Sequence, residues 1–243
     1  MLQSEDAFSQ DPIAANHRLQ PLEMFVGSLG SKVYQTLRQA ILSLSYRPGE
    51  ILRKPEICAE LGVSRSPVSD AVARLATEGL VDVIPQAGTY VARFSMDEIR
   101  EGAFVREAIE LQAIERVAET ISDEQLVALR RNITVQAALL ADGDFPGFYQ
   151  LDGEMHDLIR SFTGYRKLSV VAETAWVHVE RARRLVLPVD GRVAATLEEH
   201  RGILAALEAR DPQAARAAMR GHLRKLLTYL EPLERSHPDL FNP

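Results

Sequence analysis

The chain has 243 residues, of which 46% are hydrophobic and 26% charged, and its formal net charge is −6. This length and composition are those of a globular protein with one or two domains, and no apolar run is long enough to cross a bilayer. No N-terminal stretch has the basic start and apolar centre of a secretion signal, and the single cysteine cannot form an internal disulfide. We therefore expect a cytoplasmic protein with no membrane partner.

Charge is distributed unevenly along the chain. Residues 1–30 carry one basic and four acidic side chains (net −3), residues 31–95 carry eight and six (net +2), and residues 96–243 carry nineteen and twenty-four (net −5). Because phosphate contacts depend on local charge, the middle segment is a candidate for nucleic-acid binding despite the acidic total.

Residues 1–30 show no clear hydrophobic period and are expected to form a mobile tail, except for ordering against the body near Leu22 to Val26. A first helix is expected to begin at Ser31, which is a good N-cap residue, and to end at Arg47-Pro48-Gly49. Its apolar stripe recurs at steps of four, four and three and consists of Val33, Leu37, Ile41 and Leu44.

Two short helices joined by a glycine turn are predicted next. Apolar residues at helical spacing indicate a helix over 56–61, and Gly62 supplies the left-handed residue of its C-cap. Ser64 is the expected N-cap of the second helix, which places Arg65 and Ser66 at its N-terminal end. This is the pattern of a helix-turn-helix, whose second helix enters the major groove of DNA by that end.

A hairpin is predicted after the second helix. Strands over 80–84 and 89–92 flank the turn Pro85-Gln86-Ala87-Gly88, and Gly88 would let this wing approach the minor groove. The domain is expected to span residues 31–94, and a helical hairpin without a DNA role is the alternative. The expected DNA-binding residues are Arg65, Ser64, Ser66, Ser69, Arg53, Lys54, Arg74, Gln86 and Gly88.

The order of helix, Pro-Gly turn, helix-turn-helix and hairpin resembles the GntR family of bacterial transcription regulators. The segments that carry the resemblance are 47–52, 61–68 and 78–81, with Leu75 and Gly88. The resemblance implies a homodimer on a near-palindromic double-stranded operator, and a repressor more often than an activator. Ser69 and Asp70 stand where many relatives have Arg and Glu, so the resemblance does not imply an operator sequence.

The rest of the chain is predicted to be helical. Cap residues and apolar periods indicate six helices over 95–232, which would pack as an antiparallel bundle, followed by a tail over 233–243. The fourth helix is expected to run from about Tyr165 to Leu187 before Pro188, and the sixth to about Leu230. The expected helix starts are Ser95, Ser122, Asp144, Tyr165, Gly191 and Asp211.

Four side chains of this bundle have the spacing of a metal site. Asp152 and His156 are four residues apart and share one helix face, while His200 and His222 each share a face with apolar residues. Both histidines lie eleven residues from the turn near Asp211 (211 − 200 = 222 − 211), so antiparallel helices would carry them at the same height. Nitrogen and oxygen ligands of this kind suit a divalent transition metal: Zn above all, or Ni, Mn or Fe. Three separately satisfied core histidines are the alternative.

This half of the chain resembles the FCD ligand-binding domain of the FadR subfamily, and six helices place it with the VanR-like group. The matching residues are Arg106, Glu110, Asp152, His156, Glu199, His200, Ile203, Leu204, Asp211, His222 and Leu223. The resemblance implies a small carboxylate effector bound beside the metal, and a divalent metal with Arg106 would form a pocket that an acid neutralises. Arg106 could instead simply pair with Glu110. The expected ligand-binding residues are Arg106, Arg184, Tyr149 and Trp176.

Two other functions fit the same residues. A metal sensor would use the ion itself as its signal, and a metal-dependent hydrolase would use it to activate water. No HExxH-type base accompanies the ligands, and Glu154 and Asp157 fall off the face shared by Asp152 and His156. The sequence therefore favours a ligand-responsive regulator over an enzyme.

Overall fold

The structure is a computed structural model that describes residues 18–186, 189 and 191–242, with the backbone alone at 169, 173 and 174. It divides into two compact units. The N-terminal unit contains the described residues of 1–94 and 239–243, and the C-terminal unit spans Ser95–Pro238. Among the helices of this described part, none is long and apolar enough to span a membrane.

The N-terminal unit is a winged helix-turn-helix, as the sequence predicts. It contains α1 (Leu29–Leu42), α2 (Lys54–Leu61), α3 (Arg65–Thr77), β1 (Val81–Ile84) and β2 (Gly88–Val91). The strands pair antiparallel with Val81 opposite Val91, and Gly62 ends α2 in the expected left-handed conformation, with φ of 64°. Helix α1 begins earlier than expected, because Ser28 caps it by accepting a hydrogen bond from the backbone N–H of Ser31.

Described parts of both segments that were expected to be tails, residues 18–30 and 239–242, belong to this unit. Leu19 is buried and its backbone N–H donates to the carboxylate of Glu60 over 3.0 Å. Phe241 is only 3% exposed, and its ring centroid lies 5.6 Å from that of Phe94. The backbone of Phe94 donates to Leu240 and accepts from Asn242, at 2.9 and 2.8 Å. Burial of two apolar side chains therefore fixes segments whose polar composition suggested tails.

The C-terminal unit is helical, as predicted. Its helices are α4 (Met96–Thr120), α5 (Asp123–Asp142), α6 (Phe145–Phe162), α7 (Lys167–Ala175), α8 (Val177–Arg183), α9 (Arg192–Glu208) and α10 (Pro212–Ser236). The side chains at the expected caps Ser95, Ser122, Asp144 and Asp211 all accept hydrogen bonds from backbone N–H groups of the first helical turn. Its core is formed by apolar side chains of α4, α5, α6, α9 and α10, such as Ile114, Leu129, Met155, Leu207 and Met219.

The fourth predicted helix is divided in two, so the described part of this unit has seven helices rather than six. Trp176 interrupts it with φ −135° and ψ 32°, and its indole is buried. Helix α4 approaches this break closely at Gly102, where a Cβ atom would lie 2.9 Å from Cγ2 of Val179. A continuous apolar stripe does not reveal such a break. The expected helix end at Leu187 and Pro188 lies outside the described residues, and α10 extends six residues beyond the expected Leu230.

Candidate functional sites

The N-terminal end of α3 is an exposed polar surface. Ser64, Arg65 and Ser66 are all exposed, and Ser69 is half-buried one turn further along. Ser64 occupies the N-cap position, but its side chain makes no capping hydrogen bond. The buried face of α3 carries Val68, Ala71, Val72 and Leu75. The side chains expected to contact DNA therefore face away from the core of their own unit, apart from Ser69, which does so in part.

The wing and α2 present the remaining expected DNA contacts. Gln86 is exposed at the tip of the hairpin in the left-handed conformation (φ 61°), and Gly88 has φ 137°, which favours glycine. Arg53 is exposed and lies 3.6 Å from Glu56, while Lys54 is half-buried. Arg74 is held differently, because its guanidinium stacks 3.6 Å from the ring centroid of Tyr34.

In the C-terminal unit, the four residues of the expected metal site come together. Asp152 and His156 lie on α6, His200 on α9 and His222 on α10, and all four are buried. One ligand atom from each residue lies within 4.8 Å of the other three. The Nε2 atoms of His156 and His222 are 3.2 Å apart, and Nε2 of His200 is 3.2 Å from Oδ1 of Asp152.

The opposite nitrogen of each imidazole has its own partner. Nδ1 of His156 bonds the carboxylate of Glu110, Nδ1 of His200 bonds Oε1 of Gln136 over 2.7 Å, and Nδ1 of His222 bonds Oε2 of Glu199 over 2.7 Å. Since carboxylate and amide oxygens accept, all three Nδ1 atoms donate. The Nε2 atoms then carry lone pairs, and they point at one another rather than at donors.

Two atoms of the cluster are left without a hydrogen bond among the described residues. They are Oδ1 of Asp152 and Nε2 of His200, both shielded from solvent. A buried polar atom without a partner costs free energy, typically about 1–3 kcal/mol. These two atoms lie beside the Nε2 lone pairs of His156 and His222. Together the four atoms have the chemistry of a metal coordination sphere.

Burial favours the neutral form of the three imidazoles. It lowers the pKa of His156 below its ordinary value of 6.5, although the carboxylate of Glu110 opposes this shift. Burial, with the other imidazoles nearby, lowers the pKa of His200 and of His222 well below 6.5. Neutral imidazole is the form that binds a metal, since protonation would occupy the ligand nitrogen.

Arginines neutralise the carboxylates around the cluster. Nε of Arg106 donates to Glu110 over 2.7 Å, and Arg192 donates to both oxygens of Glu199 at 2.8 and 3.1 Å. Despite burial, Arg106 and His156 hold the pKa of Glu110 well below its ordinary value. Hydrogen bonds from His222 and Arg192 lower that of Glu199 to about 2 against its desolvation. Arg183 donates to the second oxygen of Asp152.

A cavity of about 50 Å³ adjoins the cluster. Arg106, Arg183 and Arg192 provide its cationic groups, and its remaining lining is Phe148, Tyr149, Asp152, Val186, Thr196, His222, Leu223 and Leu226. Of the expected ligand-binding residues, Arg106 and Tyr149 line this cavity. Arg184 and Trp176 do not: Arg184 packs over the ring of Tyr149 with its Cζ 4.3 Å from the centroid, and Trp176 lies under Arg160.

Several residues of the site were not identified from the sequence. Gln136, Arg183 and Arg192 have no motif of their own, and Glu110 was expected only as a partner of Arg106. The one available signal was spacing: Arg192 and Glu199 are seven residues apart on one helix face, as Arg106 and Glu110 are four apart. The pairing of each imidazole depends on packing between helices.

Comparison with known proteins agrees with both halves of this description. Residues 29–91 match the family described as bacterial regulatory proteins, gntR family, and residues 101–225 match the FCD domain. The chain is 34% identical to an uncharacterized HTH-type transcriptional regulator in an unstable DNA locus of Streptomyces ambofaciens, over 86% of this chain and 88% of the relative. It is 29% identical to the HTH-type transcriptional repressor RspR of Escherichia coli strain K12, over 88% and 94%.

The fold also matches solved structures. The structure titled E. coli McbR/YncC superimposes with a TM-score of 0.75 at 20% identity, covering 86% of this chain and 99% of the other. Because the curated relatives are transcription regulators, the hydrolase alternative is set aside. The chain belongs to the GntR family of bacterial regulatory proteins and is a DNA-binding transcription regulator with a C-terminal FCD domain.

Proposed function

We propose that this regulator binds a divalent transition metal through Asp152, His156, His200 and His222. The observation that carries the proposal is the convergence of three Nε2 lone pairs and one unpartnered carboxylate oxygen, while every Nδ1 is held by an acceptor. Outer partners of this kind fix the tautomer of metal-binding histidines. Three imidazoles and one carboxylate suit Zn best, with Ni, Mn or Fe as the other first-row candidates.

The proposed effector is a small organic acid bound in the adjoining cavity. Arg106, Arg183 and Arg192 line it. Because a guanidinium has five N–H donors, each has donors left for an acid beyond those that bond Glu110, Asp152 and Glu199. When bound, a divalent ion would supply open coordination positions and further positive charge for the same anion. Phe148, Val186 and Leu226 would cover the apolar part of the acid and exclude water from its charged end.

The proposed effect of the bound acid is a change in DNA binding by a homodimer, with relief of repression as the proposed direction. Arg65, Ser64 and Ser66 at the exposed end of α3 would contact the major groove, and the wing tip at Gln86 the minor groove. The acid changes DNA affinity only to the extent that it prefers one arrangement of the dimer, typically by about 1–3 kcal/mol.

Exposed apolar side chains of the C-terminal unit support the homodimer. Phe104 on α4 is 76% exposed, and Val170 and Val171 on the neighbouring helix α7 are exposed as well. Contact with a second copy would remove these apolar side chains from water, which is favourable. A second copy of the chain is the proposed occupant, because a near-palindromic operator requires two recognition helices.

Elemental analysis of purified protein tests the metal site. Wild-type protein is expected to retain about one divalent ion per chain, and the double variant His200→Ala/His222→Ala to lose it, since two of four ligands are gone. His237→Ala is the matched control, because this histidine lies outside the cluster. Equal metal content in the double variant and the control would reject the assignment.

A thermal-shift screen of small carboxylic acids tests the effector, because a ligand that binds only the folded state raises its stability by mass action. Hits are then added to protein bound to operator DNA, with metal present throughout. An acid sensor keeps its metal and releases DNA when acid is added. A metal sensor releases or binds DNA when the metal alone is titrated, and that result would overturn the acid as the signal.

A further inference from the structure

The partner of His200 differs from the partners of the other two imidazoles. Glu110 and Glu199 are charged, whereas Gln136 is a neutral amide, which can present either oxygen or N–H₂ to a neighbour. An amide fixes the tautomer of His200 only if its own orientation is fixed. Gln136 and His200 are both 0% exposed, so solvent does not set that orientation.

A backbone carbonyl sets it instead. Oxygen of Leu151 accepts from Nδ2 of Asn132 at 3.0 Å and from Nε2 of Gln136 at 3.3 Å. Nε2 of Gln136 also donates to Oδ1 of Asn132 at 2.7 Å. Because a carbonyl oxygen only accepts, both amides must turn their N–H₂ groups toward Leu151. The oxygen of Gln136 then faces Nδ1 of His200, which must donate.

We infer that Gln136, oriented by Asn132 and the carbonyl of Leu151, is a positioning residue that holds His200 in the tautomer with a lone pair on Nε2. This inference rests on the proposed metal site for its consequence, but the tautomer itself is a property of the protein without metal. Leu151 directly precedes the ligand Asp152, so one backbone segment of α6 supplies both a ligand and the fixed point of the relay.

The relay removes a cost from metal binding. An imidazole that exchanges between tautomers spends part of its time with a proton on the nitrogen that the metal needs. His156 and His222 avoid this through carboxylates, which accept from Nδ1 in any orientation, whereas His200 depends on the direction of one amide. Loss of an outer partner of this kind typically weakens metal binding about 10–100-fold.

The test compares three variants of the full-length chain. Gln136→Met keeps the length of the side chain but removes the acceptor. Gln136→Glu keeps an acceptor for Nδ1 but places a second oxygen toward the carbonyl of Leu151, so it is expected to destabilise the fold without changing the tautomer. Gln112→Met, at an exposed position of α4, is the control for an added methionine.

Long-range ¹H–¹⁵N NMR of the metal-free protein reads the tautomer of His200 directly, and a competition titration with a chelating dye reads Zn²⁺ affinity. Wild type, Gln112→Met and Gln136→Glu are expected to show an unprotonated Nε2 on His200. Gln136→Met is expected to show mixed tautomers and Zn²⁺ binding weaker by about 10–100-fold. If Gln136 had only a structural role, its substitutions would lower the stability of the protein and leave the tautomer of His200 unchanged.

Two results would overturn the inference: a proton on Nε2 of His200 in the wild type, or an unchanged tautomer in Gln136→Met. Zn²⁺ affinity within twofold of wild type in Gln136→Met would overturn its functional part. Wild-type protein that binds no Zn²⁺ would instead refute the proposed metal site, while the NMR measurement would still decide the tautomer.

Discussion

The two units place their working groups in opposite surroundings. In the N-terminal unit, Arg65 and Gln86 are exposed on a helix end and a wing tip, and the core beneath them is apolar. In the C-terminal unit, His156, His200 and Asp152 are buried among carboxylates and arginines that contact them directly. The exposed groups are free to contact a partner outside the chain. The buried groups have to pair with one another, because water does not reach them.

This difference determines what a substitution does. A change at an exposed residue such as Arg65 alters no packing, so it is expected to leave the free energy of unfolding within about 0.5 kcal/mol of wild type. A change at His200 or Glu110 removes one partner of a buried network and leaves the others unpaired, so function and stability change together. Each of the following experiments tests this separation of roles.

The largest expected effect is on the stability of the N-terminal unit when Phe241 is replaced by alanine. Its buried ring packs on Phe94, so Phe241→Ala is expected to cost about 3–5 kcal/mol of unfolding free energy in this unit. Urea unfolding followed by hydrogen exchange of the unit's amides measures it. Val26→Ala, at a position 89% exposed, is the control and should change stability by less than about 0.5 kcal/mol. Equal stability of the two variants would show that residues 239–242 do not stabilise the N-terminal unit.

The next effect is on dimer formation. Phe104→Asp replaces the exposed apolar side chain of α4 with a charge and is expected to weaken self-association by at least about 2 kcal/mol, or roughly 30-fold. Sedimentation velocity over a concentration series measures it. Val127→Asp, at a position 58% exposed on α5, is the matched control. If both variants dissociated to the same extent, or if neither dissociated more than wild type, Phe104 would not be part of the dimer interface.

The same division explains how much of the molecule could be read from the sequence. Cap residues such as Ser122 and Asp144 predict helix ends because capping is a local interaction. The metal ligands follow from spacing along α6 and from equal distances to the turn at Asp211. Helix caps and ligand spacing can both be recognised within one helix or one pair of consecutive helices.

What the sequence did not reveal depends on packing between distant elements. The relay from Leu151 through Gln136 to His200 joins three helices, and each residue alone is an ordinary core position. The break at Trp176 is hidden because apolar periodicity continues through it. Phe241 returns to the N-terminal unit 147 positions after Phe94, counted as 241 − 94, and no local pattern encodes that contact.

A smaller effect is expected at the DNA surface. Arg65→Ala removes an exposed guanidinium at the end of α3 and should weaken operator binding by about 1–3 kcal/mol, while the melting temperature stays unchanged. Gel shift at fixed salt concentration measures the affinity. Arg131→Ala, at an exposed position of α5, is the control for lost charge. Equal operator affinity in the two variants would exclude Arg65 from the DNA interface. A lower melting temperature in Arg65→Ala would show that this exposed residue also contributes to stability.

The most gradual effect is the pH dependence of stability, which buried histidines should determine on the acid side and buried tyrosines on the alkaline side. Burial lowers the pKa of His200 and His222 well below 6.5, so the unfolded chain takes up protons first as the pH falls below 6.5. The metal-free C-terminal unit is therefore expected to lose stability on the acid side. Burial raises the pKa of Tyr34 and Tyr46 from 10.0 to about 12, so the unfolded chain loses these protons first as the pH rises above 10.

The C-terminal unit should consequently be the first to lose stability below pH 6.5. Above pH 10 both units should lose stability, because burial also raises the pKa of Tyr149 in the C-terminal unit. Hydrogen exchange at pH 5.5, with chelator present, assigns the acid loss to a unit, and calorimetry up to pH 11 follows the alkaline one. Tyr34→Phe removes one of these titrating hydroxyls, so it should make the alkaline loss of stability less steep and leave the acid loss unchanged. If the N-terminal unit lost stability below pH 6.5 as steeply as the C-terminal unit, the buried histidines would not be the groups that set the acid limit.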